Sequence, residues 1–122
     1  MQHSSDFIAL CDDAKSRIRE CTADQAETLL NQANPPVLID VRDQDEFAQG
    51  HLPGATFLSK GWIEAKIHHI VADKETPILL YCGGGNRSAI AADNLQKMGY
   101  QHVISMIGGY KGWVKAGKAT LT

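Results

Sequence analysis

Apolar residues follow two rhythms along the chain. Val37-Leu38-Ile39-Asp40-Val41, residues 55–58, Ile78-Leu79-Leu80-Tyr81 and Val103-Ile104-Ser105-Met106 are short, almost unbroken apolar runs, the pattern of strands buried on both faces. Between them apolar residues recur every three or four positions, which predicts helices with one buried face. Phe7, Ile8, Cys11, Ala14 and Ile18 mark a short N-terminal helix on the outside of the domain. Thr22-Ala23-Asp24-Gln25 has the form of a capping box, opening a second helix through Leu29 and Leu30 that Asn34-Pro35-Pro36 ends. One or two helical turns over residues 43–48 stop at Gly50, and His51-Leu52-Pro53-Gly54 is a turn. Further helices are predicted over residues 63–71, with Ile63, Ile67 and Ile70 inward, over residues 88–98 before Gly99, and over residues 113–116.

Strands alternating with helices imply a parallel sheet covered on both faces, because each crossover must return along the sheet. The predicted fold class is α/β, a three-layer sandwich around a mostly parallel sheet. A length of 122 residues suits one domain, read as an N-terminal helical extension over 1–17 and a domain body over 18–122. In such sheets ligands bind beyond the carboxyl ends of the strands, where Asp40, Cys82 and Ile107-Gly108-Gly109 are expected to emerge together.

Charge and composition remove several function classes. A net charge of -2 with scattered Lys and Arg offers no basic stripe for nucleic acid. The apolar runs fall far short of the ~20 residues that cross a bilayer, so no membrane partner is expected. The start, Met1-Gln2-His3-Ser4-Ser5-Asp6, lacks the basic and apolar regions of a signal peptide, which predicts a cytoplasmic protein with reduced thiols. Cys11, Cys21 and Cys82 form no even disulfide set and no Cys-x-x-Cys pair, so neither a structural metal nor a cofactor is expected. Cys11 and Cys21 read as small core hydrophobes.

Cys82 is placed differently. It ends an apolar strand and precedes Gly83, Gly84, Gly85, Asn86, Arg87 and Ser88 at the start of a helix. Glycines allow a sharp turn in which successive N–H groups face one concavity, and the positive end of the helix adds to it. Cysteines at helix N-termini and beside Arg ionise more readily than free ones. The pattern describes a sulfur nucleophile facing a small anion pocket, with Arg87 the one formal positive charge in the loop.

These residues resemble the rhodanese family of sulfurtransferases, in particular its single-domain members. The likeness runs over about residues 18–117. It is carried by Leu38-Ile39-Asp40-Val41-Arg42, by Glu46-Phe47-Ala48-Gln49-Gly50-His51-Leu52-Pro53-Gly54-Ala55, by the loop over residues 82–88 and by Gly108-Gly109-Tyr110-Lys111-Gly112-Trp113. The resemblance implies a central five-stranded parallel sheet and a cysteine that accepts a sulfane sulfur as a persulfide. That sulfur would come from thiosulfate or a persulfide and pass to cyanide, a thiol or a protein partner in a sulfur relay. Cys82 holds the nucleophile position, and Gly83, Gly84, Gly85, Asn86, Arg87 and Ser88 hold the cradle. The triple glycine departs from relatives with a basic loop residue, so a neutral-walled, open pocket could equally take a persulfide from a protein or a small thiol.

Two other readings compete with catalytic sulfur transfer. A noncatalytic persulfide-binding or relay module would keep the loop, although the intact Cys82 weighs against it. Cysteine-dependent phosphatases and arsenate reductases also use a Cys-to-Arg loop, but the phosphatases carry one residue more between the two than the four found here. Asp40 reads as a strand-end residue satisfying backbone N–H groups, in support of the rim with Arg42, while Arg42 and Glu46 are expected to pair or to make surface contacts. His51 reads as a structural histidine, and His68 and His69, being adjacent, should point apart. Trp62 and Trp113 both read as partly core, with Trp62 a candidate wall of the pocket.

Overall fold

The computed structural model describes residues 3–122; Met1 and Gln2, at the start of the predicted extension, lie outside the described residues. The elements run α1 (Ser5–Lys15), β1 (Arg19–Cys21), α2 (Ala23–Leu30), β2 (Val37–Asp40), α3 (Gln44–Gln49), β3 (Thr56–Phe57), α4 (Ile63–Lys66) with a 3-10 turn (Ile67–His69), β4 (Ile78–Tyr81), α5 (Asn86–Lys97), β5 (Val103–Met106) and α6 (Gly109–Lys115). The sheet has five strands in the order β1-β5-β4-β2-β3, and every pairing within it is parallel. None of the helices among the described residues is long and apolar enough to cross a membrane.

Strand periodicity explains the layers. On one face Ile39, Ile78, Leu80 and Val103 meet Ile63, Ile67, Ala91, Ala92 and Leu95 from α4, its 3-10 turn and α5. On the other, Leu38, Leu79, Tyr81 and Met106 meet Ala26 of α2 and Trp113 of α6. Outside α5 lies α1, with Cys11 and Ala14 packed on Ile90. Arg17, two residues past α1, forks onto Asp93 of α5 at 3.1 and 2.7 Å.

Several sequence expectations change at the edges. Arg19 and Glu20 of β1 are exposed and only Cys21 turns inward, so this edge strand has no apolar run to announce it. The inward stripe of α1 is Phe7, Cys11 and Ala14; Ile8 sits one position off it and is 44% exposed, and Ile18 falls after the helix end. Helix α6 starts at Gly109, four residues before its predicted start. Trp62 is exposed and lies near the Lys66 ammonium, 4.8 Å from its ring centroid, away from the pocket. The rings of His68 and His69 come within 4.0 Å of each other, because the chain there is a tight 3-10 turn and not an α-helix.

Beneath the rim sits a buried ion pair that the sequence assigned otherwise. Arg42 binds Asp40, not Glu46: Nε lies 3.0 Å from Oδ1 and Nη2 lies 2.8 Å from Oδ2, and both side chains are excluded from solvent. Asp40 also accepts the Arg42 amide at 2.9 Å, as a strand-end carboxylate should. The guanidinium donates to the Gly50 carbonyl at 2.6 Å and lies 4.1 Å from the centroid of the Tyr110 ring. One pair thus ties β2, the end of α3 and the start of α6 together. Removing one partner of such a pair leaves a buried, unmatched charge, so Asp40→Ala should lose about 3–5 kcal/mol of stability. Urea denaturation checks this, and a loss below about 1 kcal/mol would show that the pair is not a clamp.

Candidate functional site

The alternation that turns Ile78 and Leu80 toward α5 carries Cys82 to the same face at the carboxyl end of β4. Of the three glycines that follow, only Gly85 takes the left-handed conformation, at φ 100°. Its amide donates to Cys82 Sγ at 3.1 Å. Ser88 Oγ lies 3.4 Å from the same sulfur and 2.8 Å from Ser105 Oγ. A sulfur anion can only accept, so in that state the hydroxyls order themselves with Ser105 donating to Ser88 and Ser88 to Cys82. The N-terminus of the 12-residue α5 adds its positive dipole end.

The loop's carbonyls are occupied on the opposite side. Tyr110 N–H donates to the Cys82 carbonyl at 2.7 Å and Lys111 N–H to the Gly83 carbonyl at 3.0 Å. Gly109 sits at φ 53° against the Cys82 carbonyl, where a Cβ would overlap it. These two bonds start α6 early and fix the loop by its acceptors.

Cys82 lies on a cleft of about 620 Å³. Gly83, Gly84, Asn86 and Arg87 line it, as the sequence placed them, whereas Gly85 and Ser88 reach the sulfur from behind. Asp40 and Arg42 do not line it. The walls are not neutral: α3 and its cap contribute Asp43, Asp45 and Glu46, and α6 contributes Lys111. Arg87 is engaged by Glu46 at 3.2 Å, and Glu46 also accepts the Asp43 amide at 3.1 Å. Burial works against the Glu46 carboxylate, but its bonds from Arg87 and Asp43 outweigh it and hold the carboxyl below its ordinary pKa. Among the described residues Lys111 makes no ion pair.

Sequence reasoning missed Ser105, Lys111 and the contribution of α1. A polar residue inside an apolar strand, two positions from Val103 and so on its face, was the available signal for Ser105. Helix α1 lies outside the sandwich as expected, yet Phe7 and His3 wall the cleft and Lys15 Nζ donates to Asn86 Oδ1 at 2.9 Å. His51 is structural: its Nδ1 donates to the Phe47 carbonyl at 2.9 Å and its ring stacks on Phe47 at 3.9 Å.

Residues 22–116 match the sequence profile of the rhodanese-like domain. The chain belongs to the rhodanese-like family. Similar curated proteins include the thiosulfate sulfurtransferase GlpE of Haemophilus influenzae, 35% identical over 99 residues that cover 80% of this chain and 90% of the relative. The protein of the same name from Coxiella burnetii is 39% identical over 77 residues, 63% of this chain and 70% of the relative. Among solved structures, the polysulfide-sulfur transferase homodimer of Wolinella succinogenes aligns with a TM-score of 0.82 at 28% identity, covering 96% of this chain and 88% of that one. A Rhodopseudomonas palustris protein of unknown function, described as a possible tyrosine phosphatase, aligns with a TM-score of 0.87 at 29% identity, covering 99% and 98%. The expected rhodanese-like α/β sandwich and its five parallel strands are therefore present.

The three thiols of this rhodanese-like chain differ in setting. Burial pushes the Cys21 thiol up to about 11 and raises Cys11 as well; Cys82 is as little exposed as they are, but it alone of the three lines the cleft and has a backbone amide on its sulfur. Iodoacetamide at pH 8 should therefore alkylate Cys82 first. Peptide mapping checks this, and modification of Cys11 or Cys21 ahead of Cys82 would contradict it.

Proposed function

We propose that this rhodanese-like chain is a sulfurtransferase in which Cys82 carries sulfur as a persulfide. The observation that carries the reading is the pair of donors on Sγ, the Gly85 amide and the Ser88 hydroxyl, at the floor of an open cleft. The names of its relatives, thiosulfate sulfurtransferase and polysulfide-sulfur transferase, support the same chemistry. In this scheme the Cys82 thiolate attacks the outer sulfur of thiosulfate, the S–S bond breaks, and sulfite leaves with the electron pair. Cyanide or a thiolate then attacks the outer sulfur of the persulfide, takes it, and returns Cys82 as thiolate. Gly83, Gly84, Gly85, Asn86, Arg87 and Ser88 form the cradle, while Asp40 and Arg42 hold the rim. Residues 18–122 are the catalytic body and 1–17 an added element. The three free thiols suit a reducing, cytoplasmic setting in which a small persulfide or a protein relay could supply the sulfur.

A phosphatase reading has one observation behind it, the description of the Rhodopseudomonas palustris neighbour. Against it stand the four residues between Cys82 and Arg87 and the Arg87–Glu46 pair, which occupies the guanidinium that a phosphoryl group would need.

Intact-protein mass spectrometry after exposure to thiosulfate or a persulfide should find one sulfur atom added to the wild type and none to Cys82→Ser, with no turnover of p-nitrophenyl phosphate. Turnover of that phosphate through Cys82, without sulfur uptake, would transfer the assignment to the phosphatase. Charge in the loop gives a second test. A side chain at Gly83 would press on the Arg87 guanidinium, 3.2 Å away, whereas Gly84 has ordinary φ and open space. Gly84→Arg should lower the KM for thiosulfate by roughly tenfold, the size of one charge-assisted contact, and Gly83→Arg by less. No effect at Gly84 would show that the loop does not meet the anion, and equal effects would show that the Arg87 guanidinium does not hinder a side chain at Gly83.

A further inference from the structure

We infer that α1 is a substrate-selecting wall of the Cys82 cleft, and that the Phe7 ring receives the apolar body of an organic, singly charged sulfane donor of the thiosulfonate or persulfide type. The inference rests on the reading of Cys82 as the sulfur acceptor, and it names the substrate class for that site.

The wall lies outside the family match, which begins at residue 22, yet it is tied to the domain at both ends. Ser4 Oγ caps α1 by accepting from the Phe7 amide at 3.0 Å. Phe7 packs on the cluster of Cys11, Ala14 and Ile90. At the other end Lys15 reaches the loop through Asn86, Arg17 forks onto Asp93, and Gln96 Nε2 donates to the Arg17 carbonyl at 2.9 Å. Phe7 therefore faces the cleft from a fixed position, the condition under which an apolar contact discriminates between substrates.

The charges of the cleft point the same way. Asp43, Asp45 and Glu46 stand against Arg87, Lys111 and the imidazole of His3, whose ring centroid lies 4.9 Å from that of Phe7, and Arg87 is already engaged by Glu46. A dianion such as thiosulfate meets more negative than positive charge there, with Lys111 as the cation left to it. A monoanion loses less to the carboxylates and recovers affinity by covering the Phe7 ring with its carbon skeleton. With a thiosulfonate, R–SO₂–S⁻, the Cys82 thiolate attacks the terminal sulfur, the S–S bond breaks, and the sulfinate R–SO₂⁻ leaves with the pair. Cys82 is left as Cys–S–S⁻, and no proton moves.

Benzenethiosulfonate and methanethiosulfonate share the reacting group and the charge and differ in the apolar body. Their kcat/KM ratio, measured with cyanide as acceptor, isolates that body, and its change on substitution cancels their intrinsic reactivities. Phe7→Ala and the polar Phe7→Gln should each lower the benzene-to-methane ratio by roughly tenfold, as expected for one lost apolar contact, while Phe7→Leu should keep most of it. Helical circular dichroism and thermal melting establish that α1 stays docked in each variant. A ratio that does not move, or equal losses on both donors, would overturn the inference while leaving sulfur transfer standing. Failure of the wild type to take sulfur onto Cys82 from thiosulfate, benzenethiosulfonate or methanethiosulfonate would overturn the sulfurtransferase reading and this inference with it.

Discussion

The geometry of the cleft depends on two backbone hydrogen bonds, from the Tyr110 and Lys111 amides to the Cys82 and Gly83 carbonyls. A peptide group points its N–H away from its C=O, so tying down the carbonyls of a tight loop decides which way its donors can face. With α6 holding those two acceptors, the Gly83 and Gly84 amides face the other way, and the Gly85 amide, one peptide further on, meets Sγ where the chain turns through the left-handed Gly85. The close approach is possible because Gly109 has no side chain to strike the Cys82 carbonyl. Helix α6 is in turn positioned by buried Trp113 and by the guanidinium of Arg42 over Tyr110. The Asp40–Arg42 pair thus touches the helix that holds the loop without lining the cleft.

The interior was readable in the sequence because it obeys one rule at a time. Strands β2, β4 and β5 are buried on both faces and appear as apolar runs broken only by Asp40 and Ser105. The capping box of α2 is written in two residues, Thr22 and Gln25, and both of its bonds form. Strand β1 escaped because edge pairing needs backbone alone, and Arg19 and Glu20 satisfy it as well as apolar residues would. Cys82 and its loop were readable for a different reason: a nucleophile after a strand with glycines behind it leaves a local mark.

Partnerships between distant residues left no such mark. Asp40, Arg42, Glu46 and Arg87 were all visible as candidates, yet sequence cannot say which carboxylate meets which guanidinium. The buried pair went to the neighbours on β2 and its exit, and the pair at the rim linked α3 to α5. Phe7 was equally hidden, since a ring at the first turn of an amphipathic helix reads as packing, and only the docking of α1 on α5 places it at the cleft.

The electrostatic design follows from this pairing. Arg87 faces Glu46, whose carboxyl is held below its ordinary pKa and so stays ionised through the neutral range. The loop's formal cation is therefore balanced before any substrate arrives. What remains for the sulfur are oriented neutral donors, the Gly85 amide, the Ser88 hydroxyl backed by Ser105, and the end of α5. Such dipoles stabilise a negative charge on Sγ without reorganising. A fixed cation at the same distance would bind a dianionic donor more tightly and also retain the anionic leaving group, slowing turnover at the release step. The cleft instead leaves selectivity to groups further from the sulfur, where Lys111 supplies charge and α1 supplies shape.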